Sequence, residues 1–433
     1  MTQRALSHPL SAMRAVAAGW RVLAIVAILA LVGICMAQQP IRTTLAARQA
    51  RRAIARAQFD RAIPLLDHWR ALDPSSSEIP LLEAQARFEQ GDFAPVGQLL
   101  DRAIWLGCPE RPVFRLRALL LVKQGRFIEA EPILLNLLNE AQAPDPPLDE
   151  ALTRVFLETY RLDQAVKMIK LWIRHAPRDA RPYLWWTEVD RRIEIDNPAA
   201  MEGHYRQALE LDPGLARARL GLAETLRSMH QPREAAQEFE RYLAQRPDDV
   251  MGYVGLARTA LDDGDLETAS SSIERAIKVD PNHPEVLKLR AVLEIRAGHD
   301  QAALALLDQA VKSAPLDVDS LYNQLLALTR LGRKQEAEQV RRRVTQLRED
   351  QLAVVRIRDR LIADPDNNDI RCEMARWMLA HGREDESIRW LRSILASRPG
   401  HPEATRILVE YHQKRGEIGL ANYYRSRLES QPR

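Results

Sequence analysis

Prolines at positions 213, 247, 281 and 315 stand 34 residues apart, and that period decides more about this 433-residue chain than any other feature. Gly264, Gly298 and Gly332 repeat at the same interval, as do Ala235, Ala269, Ala303 and Ala337. Prolines at 74, 109, 144 and 177 extend the series toward the N-terminus at intervals of 33 to 36 residues, and Pro365, Pro399 and Pro432 resume it toward the C-terminus. A repeat of this size is one helical hairpin. A hairpin cannot bury its apolar face alone, so it must stack on copies of itself.

The unit Val250–Pro281 shows why it is helical. Tyr253, Leu256, Ala257 and Ala260 recur at i, i+3, i+4 and i+7, one apolar stripe. Gly264 supplies a left-handed residue to end that helix, and Asp265 can cap the next. Ala269, Ile273 and Ala276 make the second stripe before Asp280-Pro281 stops it. The small residues at 257, 269 and 276 let helices approach closely enough to pack without voids. These positions resemble the tetratricopeptide repeat family, whose pattern runs from an aromatic through a Leu-Gly/Ala pair and two spaced alanines to a terminal proline. The resemblance covers about residues 43–432. It implies an all-α, right-handed α-solenoid of about 10–11 hairpins that presents a concave surface to a protein or peptide partner.

Composition agrees with an all-α chain: 18 Gly, 25 Pro and 46% hydrophobic residues. The net charge of +3 is unevenly spread, because residues 1–59 carry eight arginines and no acid, which leaves the other 374 residues at −5. A mildly acidic body argues against nucleic acid as a partner. The basic start is read with Val22–Ala37, uncharged and nearly all apolar. After a basic tail (1–14), residues 15–38 are expected to form one transmembrane signal anchor or a signal peptide, with Trp20 and Arg21 at the interface. The expected location is therefore a single-pass membrane protein, with the array outside the cytoplasm or, alternatively, on its cytoplasmic face.

The array is expected over 43–349 and again over 364–433. Between them, Pro315 to Pro365 and Gly332 to Gly382 are both 50 residues, so 16 extra residues sit in one place. With no Gly or Pro from Lys334 to Ala363, a continuous helix over 334–363 is predicted. Val340, Val344, Leu347, Gln351, Val354, Arg358 and Leu361 alternate by four and three along it, a coiled-coil-like seam. It is read either as a spacer joining two arrays or as an arm for homo-oligomerisation. The 178–213 unit is the least regular, and its Tyr183, Trp185 and Trp186 are read as filling a wider gap or as an exposed contact.

Function follows from the surface. In a stack resembling this family, the first helix of each hairpin lines the concave face, and the helical period points Arg217, Glu224, Arg227, Met251, Arg258, Lys288, Arg296, Tyr322 and Arg330 into it. The excess of arginine suits a peptide carrying acidic groups; the alternative is a set of ordinary solvated helix faces. The Lys and Asn clamp of chaperone-tail binders is absent at the matching positions. No Gly-rich phosphate loop, GxSxG elbow, HExxH or paired-Cys motif occurs, and Cys35, Cys108 and Cys372 form neither a disulfide framework nor a metal pair. The chain is thus expected to be non-enzymatic, without cofactor, metal or catalytic residues. The expected function is a membrane-anchored interaction scaffold, the alternative a self-associating envelope component built on the 334–363 helix.

Overall fold

A computed structural model describes residues 40–193 and 197–429, and every regular element among them is a helix. The membrane segment expected at 15–38 lies outside these residues. Among the described residues no helix is long and apolar enough to cross a membrane. The single-pass location is therefore corrected: the one helix with the length to span a bilayer, at 334–363, carries arginines throughout, and charge at that density is expelled from hydrocarbon.

The described residues form two compact units, divided between residues 124 and 125. The first holds α1 (residues 40–55), α2 (Phe59–Leu72), α3 (Glu78–Glu89), α4 (Val96–Trp105) and α5 (Glu110–Lys123). The second opens with α6 (Phe127–Asn139). Eight antiparallel hairpins follow: α7 (Pro146–Glu158) with α8 (Leu162–His175), α9 (Arg181–Ile193) with α10 (Pro198–Leu211), α11 (Ala216–Ser228) with α12 (Pro232–Gln245), α13 (Val250–Asp263) with α14 (Leu266–Val279), α15 (Pro284–Arg296) with α16 (Asp300–Ser313), α17 (Val318–Arg330) with α18 (Lys334–Ala363), α19 (Asn368–Ala380) with α20 (Glu384–Ser397), and α21 (Pro402–Lys414) with α22 (Ile418–Glu429).

Local signals act where the sequence puts them. Gly264 ends α13 at φ +79°, and the Asp265 carboxylate accepts the Thr268 N–H at 3.0 Å to start α14. Ala257, Ala269 and Ala276 are fully buried between helices. Size is matched across each interface: the Tyr205 ring lies against Gly221 and the Phe239 ring against Gly255, where a Cβ would meet ring carbons at 2.3 and 2.0 Å. One repeat later the pair is Ile273 and Leu289, in a shared core cluster. A large residue on a second helix thus faces a small one on the next first helix, or two medium residues share the space.

The expected long helix is a single 30-residue element, about 45 Å at the standard rise. Its seam is spent inside the chain. Val340, Val344 and Leu347 pack with Val311, Val318 and Leu321, while Val354 and Leu361 join the core of the last two hairpins. The Trp377 indole N–H of α19 donates to the Asp350 carbonyl at 3.2 Å and fixes the helix midpoint. The apolar residues of the seam are thus buried or half-buried against the chain's own hairpins.

One contact breaks the nearest-neighbour rule of a stack. The turn between α7 and α8 places Tyr160 at φ +59°, in the left-handed region that glycine fills in most other hairpins. Its ring meets Trp390 of α20 edge-on, with centroids 5.7 Å apart, and it packs into the core of the C-terminal hairpins. Arg389 lies against the backbone of Gly125 at the start of the second unit. The array of that unit bends far enough for its last hairpins to touch its first.

Candidate interaction surface on the first helices

Hairpins stack with their first helices closest together: α7 touches α9, α11 touches α13, α13 touches α15, α15 touches α17, and α19 touches α21. First helices therefore lie together on one side of the stack, here called its inner face. What they display differs from a row of free arginines, because most of these cations are already engaged along the stack.

Arg227 bonds Glu224 at 3.1 Å and crosses to Asp262 of α13 at 2.9 Å. Arg258 pairs with Glu285 of α15. Lys288 is buried, and its ammonium sits 2.8 Å from Glu285 and 3.1 Å from Asp317. Burial pushes the Asp317 carboxyl up, but the Ser320 hydroxyl and the Lys288 charge outweigh it and hold it below the usual carboxylate range. Arg296 donates to the Leu261 carbonyl at 3.4 Å, and Arg330 to the Ile295 carbonyl at 2.9 Å. Arg192 makes the same reach to the Leu157 carbonyl. In each case an arginine near the end of one first helix neutralises the negative end of the preceding first helix, 35 residues back. Met251 is half-buried against the α13–α15 core. Tyr322 is half-exposed beneath the Arg348 guanidinium at 5.9 Å. Arg217 is 72% exposed and lies 3.3 Å from Glu188.

The inner face deepens at α7, α9 and α11. A half-enclosed cavity of about 400 Å³ there is walled by Leu184 and Trp185 and rimmed by charges. Glu150 pairs with Arg181 at 2.8 Å, Glu158 with Arg192 at 3.3 Å, and Glu188 with Arg191 and Arg217. Arg181 also grips Asp179; burial would raise that carboxyl, and the hydrogen bonds from Arg181 hold it below its ordinary value instead. A second cavity, about 550 Å³, adjoins along α10 and α11 and shares Arg217; Glu224 and Ser228 are in its wall.

The three aromatics of the irregular unit divide between the two readings. Tyr183 packs into the α10–α12 core, and Trp186 stacks on His204 with centroids 4.7 Å apart. Trp185 lines the cavity. Arg154 on the opposite wall was missed in the sequence because only the regular units were read there. It stands eight residues before its second helix, as Glu224 and Arg258 do in their hairpins, and that register could have found it.

Cys372, His401 and Asp369 meet in a nucleophile-like order, with Sγ 3.9 Å from Nδ1 and Nε2 3.3 Å from the carboxylate. The chemistry is that of packing. Burial pushes the Cys372 thiol up to about 12, so it stays protonated at neutral pH, and His401 Nδ1 accepts the Ala404 N–H that opens α21. Among the described residues no group of three or more His, Cys, Asp or Glu could hold a metal ion.

Residues 198–258 and 260–329 match the tetratricopeptide repeat family. A stretch of 145 residues is 30% identical to cellulose synthase operon protein C of Pseudomonas fluorescens (strain SBW25); it is 32% of this chain but only 11% of that protein. Among solved structures, yeast Tom70 is similar over 90% of this chain and 91% of its own, at 15% identity and TM-score 0.42. PilW, a type IV pilus biogenesis factor, is similar over 46% of this chain and 92% of its own, at 18% identity and TM-score 0.41. Within the all-helical second unit, the tetratricopeptide repeat match is thus confined to α10–α17, residues 198–258 and 260–329.

Proposed function

We propose that this protein is a non-catalytic interaction scaffold that holds a peptide segment of a protein partner on the inner face of its first helices. The observation that carries the reading is the pair of adjoining cavities on α7, α9, α10 and α11, one walled by Trp185, within a face whose other cations are mostly tied into the stack. A half-buried tryptophan beside a groove is the kind of anchor that dominates peptide and protein contacts. Arg217 and Glu224 belong to this groove, while Met251, Tyr322 and the cross-linked cations continue the same face. The test is photo-crosslinking in cells, with a benzophenone amino acid placed at position 185, at 228, or at 275 on α14 as a control on a second helix. A foreign protein joined through 185 and 228 but not through 275 is the expected result. Equal labelling at all three positions, or self-crosslinks alone, would overturn the reading.

A further inference from the structure

The rim of the Trp185 cavity has one charge left over. Its three carboxylates, Glu150, Glu158 and Glu188, are each held by an arginine of α9 or α11. Arg154, on α7, has no hydrogen-bond or ion-pair partner among the described residues. The reason lies one helix along. Arg258, at the same register, finds Glu285 in the first turn of α15, whereas the first turn of α9 reads Arg181-Pro182-Tyr183 and contains no acid.

An uncompensated guanidinium in a half-enclosed, partly apolar site favours one carboxylate, gripped by two parallel N–H bonds. A doubly charged phosphate fits less well, because three carboxylates already stand in the same rim. Leu184 and Trp185 offer an apolar wall beside that grip. Arg217 lines this cavity and the adjoining one, so the groove runs on past Arg217, and a chain whose carboxylate meets Arg154 has room to continue in that direction. We infer that Arg154, Trp185 and Arg217 form a subsite for an internal Asp or Glu next to a bulky apolar residue in an extended peptide. This rests on the inner-face reading above and adds the chemistry of the ligand.

The test starts with a displayed library of random 12-residue peptides selected on the full chain and, in parallel, on Arg154→Gln. Peptides enriched on the wild type should carry an internal Asp or Glu beside Phe, Leu or Trp, and that enrichment should vanish on the variant. A selected peptide, made with an amidated C-terminus and followed by fluorescence anisotropy, should lose roughly ten- to hundredfold in affinity when its acid becomes Gln. The same change should cost nothing on Arg154→Gln. Arg154→Glu should prefer the peptide with Lys in place of the acid. Unchanged melting of each variant shows that it folds. An empty selection, peptides without an acid, or binding that needs a free C-terminal carboxylate would each overturn the subsite. If acid-free peptides are selected and Trp185→Ala weakens them, only the subsite fails. If Trp185→Ala leaves every selected peptide unaffected, the inner-face reading fails with it.

Discussion

Arg154 and Arg258 occupy the same register on two first helices, yet among the described residues one has no partner and the other is bound to Glu285. The difference is made by the neighbour. From α13 to α17 each first helix meets an acid or a helix-end carbonyl that absorbs its cation, so the inner face there is a set of struts between hairpins. Around α7 and α9 the acids of the cavity rim are held by Arg181, Arg192, Arg191 and Arg217, and Arg154 is left without one among the described residues. On the proposed reading, a repeated surface becomes a binding surface where the pairing fails and a structural one where it succeeds.

The comparison breaks most sharply at Lys288. Lys288→Met removes a buried ammonium and leaves Glu285 and Asp317 without it. Breaking a fully buried pair costs about 3–5 kcal/mol; both carboxylates are 24% exposed, so a loss of about 3 kcal/mol is expected from urea denaturation. A value near zero would mean that the struts are ornamental. Gly255→Ala comes next, at about 2 kcal/mol by thermal or urea unfolding, because the new Cβ must displace the Phe239 ring. The acid limb of stability sharpens the contrast further. With its carboxyl held below the usual range, Asp317 stabilises the fold above the unfolded carboxylate value of about 3.9 and loses that contribution as pH falls through the lower folded value. Denaturation curves below about pH 4 should therefore fall off less steeply in Lys288→Met than in the wild type. The smallest effect is expected at Arg154→Gln, within about 0.5 kcal/mol by the same denaturation, since no partner is lost. A loss above 1 kcal/mol there would show a hidden structural tie and erase the distinction between the two regions.

Much of the fold was legible before any coordinates. Gly264, Asp265 and the alanines at 257, 269 and 276 do what their positions imply, and the 16-residue excess marked the long α18. The surface was harder. The helical period put these side chains on one face of the first helices but could not say that Arg227, Arg258, Lys288, Arg296 and Arg330 are engaged along the stack. Trp185 was in view without its surroundings, and Arg154 sat in a hairpin outside the regular units read for that face.

The sequence by itself determined the hairpin, its period, its caps and the sizes of the residues at each interface. All of these act within one hairpin or between adjacent ones, so a local pattern contains them. Tertiary structure decided which charges meet between first helices, because that depends on the offset of one hairpin against the next. It also decided that Tyr160 meets Trp390 and that the α18 seam is consumed by its own chain. The first of these is an accumulated effect: each interface adds a small rotation, and only the sum over the array brings the two rings together.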